Sequence, residues 1–299
     1  MKKEREITPR SLGTHDGSFH ADEVTACALL LLFDLIDKDK IKRTREPRGL
    51  SLCEYVCDVG GIYDPCKKRF DHHQLEYKGP LSSAGMVLLY LKEEGYIDKE
   101  FYEYFNNTII LGVDAHDNGI DLKEKGVWTF SLIIANFLPA NHEATIKEHQ
   151  ECFFKALDFA LEQLCRIKEH YEYIRSCREK VQKCMSNSKD VLIFEEALPW
   201  MENFFQLNGE AHSALFVIMP TGVHWKLRGI PPSMEESMKV RLPLPQEWAG
   251  LHDDALKKVS GIEGALFCHK GRFISIWQTK EDALKAWELV LEEHRKKNK

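Results

Sequence analysis

Short apolar runs alternate with amphipathic stretches through the first half of the chain. Apolar segments at Leu12–Thr14 and Tyr55–Val59 predict buried strands, and Ile41–Glu46 predicts an edge strand. Helical patterns occupy Ala21–Leu35 and Ser82–Leu91, the second of which opens with serines suited to a helix cap. This alternation predicts an α/β fold in which helices cover a mainly parallel sheet.

Polar residues follow several of these apolar runs. His15–Asp22 follows the first strand, and Asp58 lies at the tip of the run Tyr55–Val59. Phe101–Val113 is read as one more apolar strand, and Asp114 comes directly after it. Because ligands bind outside the carboxyl ends of strands in open α/β sheets, we expect these polar residues to meet at one rim.

One long helix is predicted from about Ala144 to Cys184, followed by a second domain. The helix is interpreted as a linker packed against both domains, and a homodimer seam is the alternative. Its apolar stripe is Phe153, Leu157, Ala160, Leu164, Ile167, Tyr171 and Ile174. Four runs then predict strands and one predicts a helix: Val191–Glu195, Ala214–Pro220, Val223–Arg228, Ala265–Ile276 and Glu281–His294. The predicted organisation is a catalytic domain at 1–143, a linker helix at 144–187 and a smaller mixed α/β substrate-binding domain at 188–299.

Composition narrows the class of protein. The 299 residues are 43% hydrophobic and 29% charged, which is typical of a globular chain, and no apolar run approaches the ~20 residues of a membrane span. The net charge of −6 argues against bulk coating of nucleic acid but is compatible with a nuclease whose carboxylates bind cations. Nine cysteines, an odd number, and an N-terminus without an apolar signal core predict a reduced, cytoplasmic protein with no membrane partner.

Four segments concentrate aspartate and histidine in the first 120 residues. Each alone is weak, because a glycine-flanked aspartate is often a turn residue and paired histidines are often surface groups. Their occurrence together predicts a metal site. The segments are His15–Asp22, Asp58 with the following glycines, Asp71–His73 and Asp114–Gly119.

The mixture of ligand types indicates the ion. Carboxylates dominate over imidazoles and no thiolate set is near, which favours Mn²⁺ or Mg²⁺ over structural zinc. More ligands are present than one ion needs, so two ions bridged by a carboxylate are expected. Such a pair is the usual arrangement for hydrolysis of phosphoesters.

In this order the segments resemble the DHH phosphoesterase superfamily and, within it, the Myg family. The resemblance extends over most of the chain. The matching motifs are Thr14–Glu23, Arg69–Gln74, Gly112–Gly119, Arg241–Pro245, Trp248–Leu251 and Ser260–Ala265. It implies a DHH-type catalytic domain and a 3′-to-5′ RNA exonuclease acting with two Mn²⁺ or Mg²⁺ ions.

The resemblance also implies roles for individual residues. One ion would be held by His15, His20 and a bridging Asp58, and the other by Asp22, His72 and Asp114. Asp71 would orient His72, and His73 would face the substrate phosphate, so that Asp58, Asp71, His72 and His73 form the catalytic set.

Two assignments stay open at this point. The superfamily's commoner first motif has an aspartate where His20 stands, which leaves the choice between His15 and Asp16 as a ligand undecided. Asp117 is a ligand or a turn residue, and the turn is favoured.

In the second domain, Arg241 and His269 are candidate phosphate contacts, and Arg228 is a weaker one; each is otherwise an ordinary surface or packing residue. RNA is the favoured substrate. The alternatives are a small-molecule phosphohydrolase acting on pyrophosphate or a short dinucleotide, and a non-enzymatic binding module.

Overall fold

The computed structural model describes residues 6–120, 124–141 and 143–297. The chain divides into two compact units, Met1–Tyr171 and Glu172–Lys299. The division falls inside the segment 144–187 that the sequence assigns to a linker helix.

The first unit contains a five-stranded sheet of order β2-β1-β3-β5-β4. Neighbouring strands are parallel except for the antiparallel pair β4 and β5 at one edge. The strands are β1 (Thr8–Thr14), β2 (Ile41–Arg43), β3 (Cys53–Cys57), β4 (Tyr63–Asp64) and β5 (Arg69–Phe70). The predicted α/β class with a mainly parallel sheet is therefore confirmed, and Ile41–Arg43 is the expected edge strand.

The described part of this unit contains six α-helices and most of a seventh, which continues past Tyr171. They are α1 (Ala21–Leu32), α2 (Pro47–Leu50), α3 (Ser83–Glu93), α4 (Lys99–Phe105), α5 (Leu111–Asp117), α6 (Phe130–Ala135) and α7 (Ile146–Ser176). The main core lies between α1, α3 and one face of the sheet and includes Leu12, Tyr55, Phe70, Leu29 and Met86. Helix α1 ends at Leu32, three residues before the predicted end at Leu35. Asp34, two residues after the helix, adopts a left-handed φ of 55°.

The prediction of a strand over Phe101–Val113 is wrong. Helix α4, a π-helical turn at Asn106–Ile110 and α5 form one helical segment there. Phe101, Phe105 and Ile110 are buried at spacings of four and five, which fits a helix containing a π turn and not a strand. Asp114 consequently lies within a helix.

Helix α7 carries the predicted apolar stripe. Phe153, Leu157, Ala160 and Leu164 are fully buried in the core of the first unit. The stripe is thus covered by this chain itself and does not form an exposed dimer seam. The long helix breaks at Cys177, after which α8 (Arg178–Asn187) begins.

The second unit contains a five-stranded mixed sheet of order β6-β7-β8-β10-β9, with only β6 and β7 parallel. Its strands are β6 (Val191–Ile193), β7 (Phe216–Thr221), β8 (His224–Gly229), β9 (Ala265–Cys268) and β10 (Ile274–Trp277). Its other helices are α9 (Met201–Gln206), α10 (Asp253–Ser260) and α11 (Lys280–Lys297). The predicted run Ala265–Ile276 is a hairpin of two strands.

The two faces of this sheet bury different clusters. Phe216 and Ile218 of β7 pack into a cluster with Leu227 and Trp277. Val217 and Met219 point the other way into a cluster with residues of α8 and α9. Alternate residues of a strand face opposite sides of a sheet, and both sides of β7 are covered.

No helix among the described residues is long and apolar enough to cross a membrane. All nine cysteines are free thiols.

Candidate metal centre

Three neighbouring parallel strands are each followed directly by a histidine or an aspartate. β1 leads into His15, β3 into Asp58 and β5 into Asp71. The carboxyl ends of adjacent parallel strands lie at the same edge of a sheet, so these residues come together although they are far apart in sequence. His15, Asp58 and Asp71 are all buried.

Asp58 turns the chain sharply at the end of β3. Its φ is 55°, in the left-handed region that aspartate tolerates better than most residues. Its backbone N–H donates to the carbonyl oxygen of Phe70 at 2.9 Å, which fixes the turn against β5. The carboxylate then reaches His15, with 3.1 Å between Asp58 Oδ2 and His15 Nε2.

The first turn of α1 supplies the second group of side chains. Asp22 and Glu23 are the second and third residues of the helix and are completely buried. The Glu23 carboxylate accepts hydrogen bonds from the backbone N–H of His20 at 3.0 and 2.9 Å. Such a contact satisfies a free donor at the helix start and fixes the turn before it.

Arg43 of β2 holds the loop between β1 and α1 from the other side. Its Nη2 donates to Gly17 O at 2.7 Å and its Nε to His15 O at 3.2 Å. The guanidinium also lies 4.5 Å from the ring centroid of Phe153. This half-buried arginine therefore positions the backbone of the loop that carries His15.

The potential ligand atoms fall into three overlapping groups, within each of which all atoms lie within 4.8 Å of one another. Asp58 belongs to two of the groups and His20 belongs to two. The groups are His15, His20, Glu23 and Asp58; Asp58, His72 and His73; and His20, Asp22 and Asp117.

Several buried atoms of this cluster have no hydrogen-bond partner among the described residues. They are both carboxylate oxygens of Asp22, Oδ1 of Asp58 and Nε2 of His72. His72 Nε2 nevertheless lies 2.9 Å from Asp117 Oδ2 and 3.6 Å from Asp58 Oδ1. Buried polar atoms are normally hydrogen-bonded, so converging atoms left without such bonds fit coordination of a cation. The residues present therefore suit the divalent ions that the sequence predicts.

Burial and neighbouring charges shift the pKa values of several side chains in this centre. Burial raises the pKa of Asp22 well above its ordinary value, and the charge of Asp58 raises it further. Burial alone would lower the pKa of His15, but its bonds to Asp58 and Glu23 raise it to about 10. Contacts with Asp117 and Asp58 raise the pKa of His72 to about 10. The histidines and carboxylates of this centre therefore lie close enough to shift one another's pKa values.

Asp71 positions His73. Its Oδ1 accepts from His73 Nδ1 at 2.7 Å and from the His73 backbone N–H at 3.1 Å, and its Oδ2 accepts from the N–H of Gly61. The sequence instead pairs Asp71 with His72. Asp71 raises the pKa of His73, whose side chain is exposed.

Two predicted ligands lie outside the three groups. The Asp16 carboxylate faces solvent, with Oδ1 at 3.5 Å from Arg45 Nε. Asp114 Oδ1 accepts from the N–H and Oγ of Ser82 and from the N–H of Gly85, so it caps the start of α3. These contacts give Asp114 a structural role at the first turn of a helix.

Besides His73, which the sequence places at the substrate phosphate, two residues join the groups that the sequence did not favour as ligands. Asp117 lies one helical turn after Asp114, and the i, i+3 relation within α5 directs it toward His72. Glu23 lies three residues after His20, which is the spacing of a helix-capping pair. That spacing and the helical period of α5 are the sequence signals that would have found them.

In the second unit, Arg241 is a structural link between loops. Four of its N–H groups donate to backbone carbonyls, of Pro231, His212, Ala214 and Gly209. A guanidinium has five N–H groups, so little capacity is left for a phosphate. Its contacts give no support to the predicted substrate role.

Arg228 has a different environment. It lies on β8 two residues after Lys226, on the side of the strand opposite buried Leu227. Among the described residues, neither cation has a hydrogen bond or ion pair, and both are half-buried, which lowers their pKa values. Cross-strand neighbours are Ile274 and Ile276 of β10. His269, the other candidate, lies against Phe273 in a tilted arrangement with 4.4 Å between ring centroids, and it accepts a hydrogen bond from the Gly271 N–H.

The polar groups of the first unit line an open cleft of about 390 Å³. His15, His20, Asp58, Asp71 and His73 form part of its wall. The cleft lies within the size range of small-ligand sites, roughly 300–1,000 Å³. The fold and the side chains therefore define a class of protein. It is an α/β protein with an open metal-binding cleft at the strand ends of its first unit.

An uncharacterised protein family (UPF0160, MYG1_exonuc) has a model that matches residues 11–291. The chain belongs to this family, and the resemblance of its motifs to the Myg family is confirmed. It is 52% identical to the MYG1 protein of Chlamydia pneumoniae over 285 residues, which cover 95% of this chain and 98% of that protein. It is 32% identical to the MYG1 exonuclease of Homo sapiens over 321 aligned positions, covering 93% of this chain and 85% of the human protein.

Among solved structures, RecJ of Thermus thermophilus in complex with Mn²⁺ matches with a TM-score of 0.28 and 13% identity. The match covers 95% of this chain and 52% of RecJ. A TM-score this low does not establish a common fold and supports no statement about this chain.

Proposed function

We propose that this chain is a divalent-metal-dependent exonuclease that removes nucleotides from RNA in the 3′-to-5′ direction. Hydrolysis of phosphodiester bonds is supported by its membership in a family whose human member is named an exonuclease. The preference for RNA and the direction are supported by the motif resemblance.

The observation that carries the proposal is the set of converging, unpaired ligand atoms. Asp22 is completely buried, yet neither of its carboxylate oxygens has a hydrogen-bond partner among the described residues. His72 Nε2 approaches Asp22 Oδ2 to 4.0 Å, which is beyond hydrogen-bond distance, so the carboxylate is buried without hydrogen bonds. Such burial is costly, and a bound cation removes that cost. A purely structural role for Asp22 would leave the cost unexplained.

The three ligand groups support two ions with Asp58 between them. His15, His20 and Glu23 would complete the site on one side of Asp58, with His72, Asp22 and Asp117 on the other. When bound, two Mn²⁺ or Mg²⁺ ions supply Lewis acidity to the phosphoryl oxygens and a water molecule of lowered pKa. Asp16 and Asp114 of the predicted set lie outside the three groups, although Asp114 Oδ2 is also buried without a hydrogen-bond partner among the described residues.

His73 is the residue best placed to contact the reacting phosphate. Its Nδ1 is held by Asp71, which orients the ring and directs Nε2 away from that carboxylate. The exposed ring lies on the wall of the open cleft, where a substrate has access. We assign it the binding of a non-bridging phosphate oxygen, or delivery of a proton to the departing oxygen.

Two half-buried cations on one face of β8 support a nucleic-acid substrate. Lys226 and Arg228 project from one side of the strand without carboxylate partners among the described residues, beside Ile274 and Ile276. Adjacent cations with apolar neighbours suit a phosphate backbone and its bases. The nine free cysteines support a reducing compartment, for which we propose the cytoplasm.

The experiment is digestion of single-stranded RNA labelled at its 5′ end, with Mn²⁺, Mg²⁺ or chelator. We expect a ladder shortened stepwise from the unlabelled 3′ end that requires a divalent ion. Asp22→Asn should abolish the ladder, whereas the matched Asp158→Asn, at an exposed carboxylate, should leave it intact. Immediate release of labelled mononucleotide would refute the direction. Turnover of pyrophosphate or a dinucleotide but not of longer RNA would refute the substrate class.

A further inference from the structure

A second cleft adjoins the metal cleft in the first unit. It has a volume of about 350 Å³. The two clefts share Arg45, Val59 and Gly60 in their walls. The two clefts therefore adjoin at these three residues.

The lining of the second cleft is mainly apolar. Val56 lies on the face of β3 opposite Tyr55 and, with Leu50 and Cys53, forms a small cluster separate from the main core. Val59 packs against this cluster, and Ile62 lines the same cleft with 52% of its surface exposed. An exposed large aliphatic side chain in a concave site is typical of a contact for an apolar ligand group.

The two arginines of this cleft differ in what they can do. Arg69 donates to the carbonyl oxygens of Glu54 and Cys53, so its guanidinium serves the backbone. Arg45 stands at the junction of the clefts with 65% of its side chain exposed, and its Nε approaches the Asp16 carboxylate at 3.5 Å. A guanidinium so placed offers N–H groups to a phosphate and a flat face to an aromatic ring.

We infer that the apolar cleft binds the base of the terminal nucleotide while its phosphate occupies the metal cleft. The inference rests on the proposed function, which places a nucleotide phosphate among the metal ligands. A nucleotide has a charged phosphate at one end and a flat, weakly polar base at the other. Its two ends match the polar cleft and the apolar cleft, and Arg45 lies between them.

The site would set how firmly a substrate end is held. A base stacked or packed against protein side chains gains binding, and the effect tolerates different bases because each has a flat face. The cleft should therefore discriminate a nucleotide from a sugar phosphate more strongly than one base from another. Ile62 is the specificity-determining contact that this geometry assigns.

The test compares adenosine 5′-monophosphate with ribose 5-phosphate, which lacks the base, by calorimetry in Mn²⁺. The wild type should bind the nucleotide about tenfold more tightly, the order expected for one base contact. Ile62→Ser should lose this preference. Ile7→Ser removes an isoleucine of similar exposure, 50%, outside both clefts and should retain it.

Equal affinity of the wild type for the two ligands would overturn the inference, as would unchanged preference in Ile62→Ser. A change of oligomeric state in Ile62→Ser with the base preference retained would assign this face to contact between copies of the chain. RNA digestion is scored separately. Digestion without base preference would reject only the base site, and base preference without digestion would reject only the exonuclease function.

Discussion

Replacing Asp22 by asparagine should stabilise the metal-free protein while removing its response to metal. The carboxylate is fully buried near Asp58 and Glu23, and both of its oxygens lack hydrogen bonds among the described residues. Asparagine has nearly the same shape without the charge. A residue that served folding would behave in the opposite way, because its loss would lower stability.

The magnitude follows from the burial. Asparagine keeps a polar group at this buried position but removes the charge. Each unit by which burial and Asp58 raise the pKa of the carboxyl corresponds to about 1.4 kcal/mol, so the free energy of unfolding should rise by an amount of that order. For a unit of 150–250 residues, each 1 kcal/mol corresponds to roughly 2–4 °C in Tm. The wild type in Mn²⁺ at 100 times Kd should gain about 2.7 kcal/mol, a gain that the variant should largely lose.

The assay is calorimetric unfolding of wild type and Asp22→Asn in chelator and in Mn²⁺. Asp158→Asn is the control, since this carboxylate is exposed and pairs with exposed Lys38 at the surface. A variant less stable than the wild type in chelator, or one that gains the same Tm in Mn²⁺, would refute the assignment of Asp22 as a ligand.

Three further predictions concern other parts of the molecule. Asp114→Ala should lower the free energy of unfolding in denaturant titrations by about 1–3 kcal/mol, because Ser82 and Gly85 lose their acceptor, and an unchanged midpoint would contradict the capping role. Arg241→Ala should lower the stability of the second unit by at least about 1–3 kcal/mol, because several backbone carbonyls lose their donor. Thermal unfolding measures this loss, and RNA affinity is the second readout. Lost affinity at an unchanged Tm would restore the predicted contact with phosphate. Metal binding should release protons, because the pKa of His15 is about 10 without metal and the ring must lose a proton to bind the ion. The affinity for metal should therefore fall as the pH falls. Binding heats that do not depend on the ionisation enthalpy of the buffer would contradict this prediction.

The sequence predicts the sheet side of the centre well. His15 and Asp58 follow strands whose apolar character is plain in the sequence, and parallel strands deliver their carboxyl ends to one edge. The position of Asp22 is predictable for the same reason, because it lies in the first turn of the helix that follows β1. These positions depend on local pattern and on one general rule of α/β topology.

The helical side is harder to predict. The run Phe101–Val113 is apolar on most positions, and periodicity alone does not separate a buried strand from a buried helix that contains a π turn. The choice between Asp114 and Asp117 depends on that helix and on which carboxylate the start of α3 captures. Arg241 is similar, because its four carbonyl partners come from loops that no local pattern brings together.

The two-metal centre is most directly tested by anomalous diffraction from crystals of this protein grown with Mn²⁺. We expect two peaks roughly 3.5–4 Å apart. Asp58 should lie between them, and His15 and Asp22 should lie on opposite sides of the pair. Absence of peaks at saturating Mn²⁺, or a single ion held away from Asp22 and Asp58, would contradict the proposed centre.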